Sequence, residues 1–183
     1  ALFLKGPDRV PPMTIPKLIA NIGPANVALM VNAHGPVYSM ATACSSATDA
    51  IGNSMRWIRE GLGDVVVTGG VEACITELGV AGFNVIQALT TRNDDPEHAS
   101  RPFDKDRDGF LIGEGAGTLI LEELELAKKR GAPIYAEVVG SGITNDAYHR
   151  TAPHPEGTGA IKAAKMALND AGLKPEDVDY INA

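Results

Sequence analysis

An α/β fold is predicted by three observations. Apolar, β-branched runs alternate with amphipathic helical patterns along the chain. The most complete of these, strand, helix and strand between Val37 and Gly70, has the order of a parallel βαβ unit. The helical patterns are closed by glycine, at Gly61, Gly131 and Gly172, the residue that most readily takes the left-handed stop. With 183 residues the chain is long enough for one domain with a sizeable core.

Taken in order, residues 1–36 are divided by Pro7, Pro11, Pro12, Pro16, Pro24 and Pro36, with one helix expected from Lys17 to Ile22 or a little beyond. No opening sheet strand is legible there, so the sequence is expected to start in mid-domain. Val37–Ala43 reads as a strand ending at Cys44. In the helix after it, Ala47, Ile51, Met55 and Ile58 form one apolar stripe, and Ser45 and Ser46 suit the cap and first turn. Asp64–Gly70, with Val65, Val66 and Val67, reads as a central parallel strand covered on both faces. Glu72–Leu89 is expected to be partly helical and carries Phe83; Thr91–Phe103 is a polar loop.

Further on, Gly117–Leu121 reads as a strand, Glu122–Arg130 as a helix and Ile134–Ile143 as an alternating strand. Glu156–Ala171 is a helix expected to present Ile161, Ala164, Leu168 and Ala171 on one face. Val178–Asn182 starts another strand at the end of the sequence, where truncation is expected.

A net charge of −7 argues against a nucleic-acid partner, which asks for a basic face. No run approaches the roughly 18 apolar residues of a membrane span and no signal-peptide pattern opens the sequence, so no membrane is expected and a cytoplasmic location is. The two cysteines, Cys44 and Cys74, read as free thiols. No cysteine–histidine spacing calls for zinc. Asp104-Lys105-Asp106-Arg107-Asp108-Gly109 copies the first half of a calcium loop, but the twelfth position is Gly115 and Glu114 falls one place early. Gly113-Glu114-Gly115-Ala116-Gly117 is similar to a dinucleotide fingerprint but leads into a strand, so it reads as backbone against which something packs closely.

The stretch Val37–Ala47 carries the chemistry. A thiol between a strand and a helix N-terminus lies at the positive end of the helix, where ionisation to the attacking thiolate is favoured. A nucleophile elbow uses the same geometry, although G-x-S-x-G is absent. A lone cysteine is also commonly an inert small hydrophobe, and the local residues leave both readings open. His34, His98, His149 and His154 fall in loops, none at a spacing that aims it at Cys44, and read as solvated.

Seven segments together carry a resemblance: Thr42-Ala43-Cys44-Ser45-Ser46-Ala47, Val67-Thr68-Gly69-Gly70-Val71-Glu72, Thr91-Arg92-Asn93-Asp94, Arg101-Pro102-Phe103-Asp104, Arg107-Asp108-Gly109-Phe110, Gly113-Glu114-Gly115-Ala116-Gly117 and Asn145-Asp146-Ala147-Tyr148-His149. In order and spacing, over essentially the whole chain, they resemble the condensing enzymes of the thiolase-like family, and within them the β-ketoacyl-acyl-carrier-protein synthase II branch.

That resemblance implies an α-β-α-β-α layered sandwich of two related halves, usually a homodimer. The chain covers part of it, with 1–131 a partial N-terminal half holding the nucleophile and 132–183 the beginning of the C-terminal half. The implied reaction is a decarboxylative Claisen condensation: a cysteine takes an acyl group from acyl carrier protein, and the carbanion from malonyl carrier protein attacks the thioester.

By the same resemblance Cys44 matches the nucleophile, with its N–H an oxyanion donor. Phe83 is similar to an acyl-pocket residue, Thr151 to one beside the pantetheine arm, and Arg9 to a basic residue that docks the carrier, whereas Asp8 and Gln87 depart from the basic residues expected there. No metal or cofactor is called for. Family members continue from a stretch like Ile181-Asn182-Ala183 into a histidine, then bring a second histidine, a lysine and a glycine–phenylalanine loop. The 183 residues are therefore expected to be inactive, or nearly so, by themselves. Alternatives are a polyketide ketosynthase, a non-catalytic ketosynthase-like partner, against which Cys44 counts, and a thiolase acting on coenzyme A esters.

Overall fold

The prolines near the N-terminus fall where helices tolerate them. Three short helices form, α1 (Leu2–Lys5), α2 (Thr14–Leu18) and α3 (Ile22–Val31). Pro16 and Pro24 each occupy the third residue of a helix, where an N–H has no intrahelical acceptor to lose. The single helix expected over Lys17–Ile22 is instead broken at Ile19, Ala20 and Asn21. Helix α3 is apolar all round and buries none of its residues, with Leu29 81% and Met30 85% exposed. Such a helix is built to be surrounded.

The computed structural model describes residues 2–182. They form two units, one running to Val66 and resuming at Ile120, the other Val67–Leu119.

In the first unit the expected strand Val37–Ala43 does not form: Pro36–Thr42 is unpaired chain followed by a 3-10 turn, Ala43–Ser45. A strand exists only where its N–H and C=O groups meet a neighbouring strand, and this segment meets no partner strand among the described residues. The helix after it is as predicted. It is α4 (Ser46–Arg59), with Met55 buried and Ala47, Ile51 and Ile58 half-buried on the expected stripe. Its end is a Schellman motif: Gly61 has φ 68°, its N–H donates to Ile58 O at 3.0 Å, and the Leu62 N–H donates to Trp57 O at 3.1 Å.

Strand β1 (Val65–Glu72) pairs with β2 (Gly115–Glu122) in a two-stranded sheet. The Glu123 N–H donates to Asp64 O at 2.9 Å, while Gly69 lies against Gly117 and Thr118, so partners run in opposite directions along the two strands. The pairing is antiparallel, which corrects the expected central parallel strand. A Cβ on Gly69 would meet Gly117 O at 2.0 Å. The close packing expected on the backbone of Gly113–Gly117 is found at Gly117, although a Cβ on Gly113, Gly115 or Gly117 itself would meet nothing within 4 Å. The approach is made through Gly69.

After β2, α6 (Leu124–Lys129) is capped by Glu123, whose carboxylate accepts the Leu126 N–H at 2.7 Å, and stops at Gly131, φ 70°. Arg130 grips Glu122 with two bonds, Nε to Oε1 at 2.7 Å and a terminal nitrogen to Oε2 at 2.6 Å.

The expected strands Ile134–Ile143 and Val178–Asn182 have no ladder; both run as irregular chain. Residues 139–144 instead lie between α4 and α7 (Thr158–Ala171). Arg59 on α4 donates to the Val139 carbonyl and pairs with Asp170 on α7 at 3.1 Å. The second oxygen of Asp170 accepts the Ser141 N–H at 2.9 Å, and the Thr144 hydroxyl donates to Gly159 O at 2.7 Å. A Cβ on Gly140 or Gly142 would run into the backbone of α7, and one on Gly52 into the side chain of Ser141.

This approach also resets the inner face of α7. Ala163, Ala167, Leu168 and Ala171 are half-buried, while the predicted Ile161 and Ala164 are exposed. Small side chains are what a closely approaching backbone leaves room for. Gly172 ends the helix with φ 68°.

In the second unit, α5 (Glu77–Val85) is capped by the Thr76 hydroxyl, which accepts the Gly79 N–H at 3.1 Å. Residues 88–90 bridge to Phe110 through Thr90 N–H to Phe110 O at 2.9 Å and Phe110 N–H to Ala88 O at 2.8 Å. The buried apolar side chains among the described residues are Met55, Ala99 and Ala127. No helix among them is long and apolar enough to cross a membrane.

Candidate active site

The turn before α4 is held by its own side chains. Thr42 is engaged at all its polar groups: its hydroxyl donates to Asp49 Oδ2 at 2.5 Å, its N–H to Ser46 Oγ at 2.9 Å, and its carbonyl accepts from Ser45 Oγ at 2.8 Å. The Ser46 hydroxyl in turn donates to Ala43 O at 2.7 Å. Ala43, between these anchors, has φ 51°, a left-handed conformation that a residue with a Cβ adopts only under constraint.

Cys44 follows at once, on the 3-10 turn that leads into α4, and is exposed. Its N–H finds no protein acceptor among the described residues. The helix N-terminus expected at the cysteine is therefore present, reached by a strained turn without a preceding strand. An exposed thiol beside a free N–H at a helix start can attack a carbonyl carbon and donate to the oxygen that becomes negative. Both Cys44 and Cys74 are free. Sequence reasoning missed Thr42 and Asp49 as the groups that hold this turn. An acidic residue in a helix first turn is common enough to be read as a response to the helix dipole alone.

Thr151 lies in the same unit, exposed, with its N–H donating to His149 Nδ1 at 3.2 Å. The Ala152 N–H reaches the same nitrogen at 3.1 Å, so Nδ1 is an acceptor and a neutral His149 carries its proton on Nε2. Asp146 organises the loop: Oδ2 accepts the His154 N–H at 2.9 Å and Oδ1 the Tyr148 N–H at 3.3 Å. Those two backbone donors, with the nearby His154 ring, hold its carboxyl below the usual 3.8 despite partial desolvation. The Tyr148 and His154 rings meet edge to face at 5.0 Å, and His154 is half-buried, unlike His34, His98 and His149. The solvated reading of His154 is corrected accordingly.

Arg9, also in the first unit, is exposed on the 3-10 turn Pro7–Arg9 beside exposed Asp8. No hydrogen bond among the described residues joins Cys44 to Thr151 or Arg9. Phe83 belongs to the second unit, on α5, where with Leu78, Gly79, Gly82 and Ile86 it lines a shallow apolar hollow and is 39% exposed. In the same unit the Asp108 carboxylate accepts the Thr90 hydroxyl at 2.6 Å and the Thr91 N–H at 3.0 Å, which lowers its pKa.

Residues 2–127 match the β-ketoacyl synthase N-terminal domain and 135–183 the β-ketoacyl synthase C-terminal domain. The 3-oxoacyl-[acyl-carrier-protein] synthase 2 of Synechocystis is 55% identical over 182 residues, 100% of this chain and 44% of the relative. That of Vibrio cholerae is 49% identical over 183 residues, again 44% of its length. The chain thus spans under half the length of the relatives it matches.

Among solved structures, a β-ketoacyl synthase from Burkholderia phymatum superposes with TM-score 0.91 at 37% identity, over 100% of this chain and 44% of that one. A type II polyketide ketosynthase, solved with its acyl-carrier protein, matches with TM-score 0.91 at 37% identity, over 97% of this chain and 44% of its own. The fold is thiolase-like, covered in part, and on the match of both domains along its length the chain belongs to the β-ketoacyl synthase family.

Proposed function

We propose that these residues are the nucleophile-bearing part of a 3-oxoacyl-acyl-carrier-protein synthase of fatty-acid elongation. The observation that carries this is the Cys44 turn, with its exposed thiol, unengaged N–H and strained Ala43 at the start of α4. Cys44 takes the acyl group from the carrier thioester: the Sγ–C bond forms, the pantetheine C–S bond breaks, and the carrier thiol leaves. The Cys44 N–H is one donor to the oxyanion of that step. Decarboxylation of malonyl carrier protein then yields the carbanion that attacks the enzyme thioester and frees Cys44.

Phe83 lines the acyl channel, Thr151 lies along the pantetheine arm and Arg9 meets the acidic carrier. Residues 1–131 are part of the N-terminal half and 132–183 open the C-terminal half. The working enzyme is a cytoplasmic homodimer. The histidines, the lysine and the second oxyanion donor that the family resemblance calls for lie outside these 183 residues, which by themselves acylate slowly at most.

Polyketide elongation is the second reading, favoured by the fit to the type II ketosynthase structure. The higher identity, 55% against 37%, supports fatty-acid elongation. In the full natural polypeptide containing these residues, condensation of radiolabelled malonyl carrier protein with acyl carrier protein is expected and Cys44→Ala is expected to abolish it. Full activity in that variant overturns the assignment. Products reduced to saturated chains by fatty-acid enzymes support elongation of fatty acids; poly-β-keto products support the second reading.

A further inference from the structure

We propose that Asp49 is a positioning residue that sets the reactive geometry of Cys44 by clamping Thr42 across the intervening turn. The inference rests on the reading of Cys44 as the acylated nucleophile. Asp49 is 5% exposed, and a buried carboxylate needs donors. Its side-chain donor is Thr42, seven residues back and outside the helix, at 2.5 Å. A first-turn carboxylate serving only the helix dipole has no need to be buried or to reach outside its helix.

The clamp closes around the strained residue. Thr42 is fixed from one side by Asp49 and from the other by Ser45 and Ser46, and Ala43 is left at φ 51° between fixed ends. That twist delivers the next peptide, the Cys44 N–H, without an acceptor of its own. Releasing Thr42 lets Ala43 return to an ordinary conformation, which rotates the Cys44 N–H away from the oxyanion position. The thiol stays exposed. The predicted defect is thus confined to steps that need the N–H.

Two reactions of the same sulfur separate these effects. Acyl-enzyme formation from an acyl carrier thioester develops an oxyanion; alkylation by iodoacetamide does not. Half-buried Cys74 provides an internal reference thiol. In the full natural polypeptide, Thr42→Val, which keeps shape and deletes the donor, is expected to lower kcat for acyl-enzyme formation about tenfold to a hundredfold. KM stays within about twofold, and the Cys44 to Cys74 alkylation ratio within about threefold, because neither depends on the donor N–H. Thr42→Ser and Asp49→Asn, which retain a donor and an acceptor, are expected to keep most of the rate. Thr42→Val combined with Asp49→Ala is expected to be no slower than the slower single variant.

A wild-type kcat in Thr42→Val overturns the clamp while leaving Cys44 as nucleophile intact. So does a loss shared equally by Thr42→Ser, or one accompanied by a matching rise in Cys74 labelling, since either marks general loosening. Acylation persisting in Cys44→Ala removes the nucleophile reading and the clamp with it.

Discussion

A Cβ placed on Gly142 would lie 2.0 Å from the carbonyl oxygen of Ala163, because the chain after β2 is pressed against the backbone of α7. Gly52, on α4, faces the same segment differently: its added Cβ would meet Ser141 Oγ at 2.1 Å and Ser141 Cβ at 2.9 Å, a side chain with some freedom to turn. Gly142→Ala is therefore expected to destabilise by about 2–3 kcal/mol, at the upper end of overpacking. Gly52→Ala should lose less, since alanine gains up to about 1 kcal/mol of helix propensity. Urea midpoints of the two variants in the full polypeptide check the order; equal effects would contradict it.

The Asp146 carboxylate has a testable pH signature. Its pKa is below 3.8 in the folded chain, chiefly through the His154 and Tyr148 N–H groups. A depressed carboxylate contributes stability above its unfolded pKa and loses it as pH falls through the folded value. Asp146→Asn is thus expected to be less stable than the parent at pH 7, with the gap closing below pH 3.8. Unfolding midpoints from pH 7 down to about pH 3 measure this; a gap that does not change with pH would refute it.

On the proposed acyl channel, Phe83 and its neighbour Gly82 suggest a graded experiment. A Cβ on Gly82 meets nothing within 4 Å, so the hollow has room to be narrowed there. Gly82→Leu is expected to reduce kcat/KM for the longest acyl chains about tenfold or more relative to short ones, the range for a few methylenes in an apolar pocket. An unchanged chain-length profile would remove this hollow from the channel.

Arg9 is exposed, next to Asp8, and makes its proposed contribution by long-range attraction. Arg9→Ala should raise KM for acyl carrier protein about twofold to tenfold with kcat unchanged, the pattern of a rim charge. The difference should shrink as the ionic strength rises from about 0.05 M to 0.5 M, over which the Debye length falls from about 14 Å to about 4 Å. A salt-independent effect would point to a packing role instead.

Local features were legible in the sequence. Helix α4 appears with its predicted stripe and its stop at Gly61, and α6 and α7 end at Gly131 and Gly172 as expected, because these signals depend on neighbours one turn away. The Cys44 turn was legible from the small residues around it, although its two anchors were not. Thr42 and Asp49 are seven residues apart, a spacing that neither a helix nor a strand makes diagnostic.

The sequence by itself determined α4, α6 and α7 with their glycine stops, though not the division of residues 14–31 into α2 and α3, and it determined that a lone thiol stands at the mouth of α4. Tertiary structure decided what surrounds these pieces: Pro36–Thr42 stays unpaired, β1 meets β2 antiparallel, and α7 turns Ala163, Ala167 and Ala171 inward. The physical reason is range. A helix satisfies its backbone within itself, whereas a strand takes its identity from a partner far along the chain, and a helix face from the backbone that presses on it.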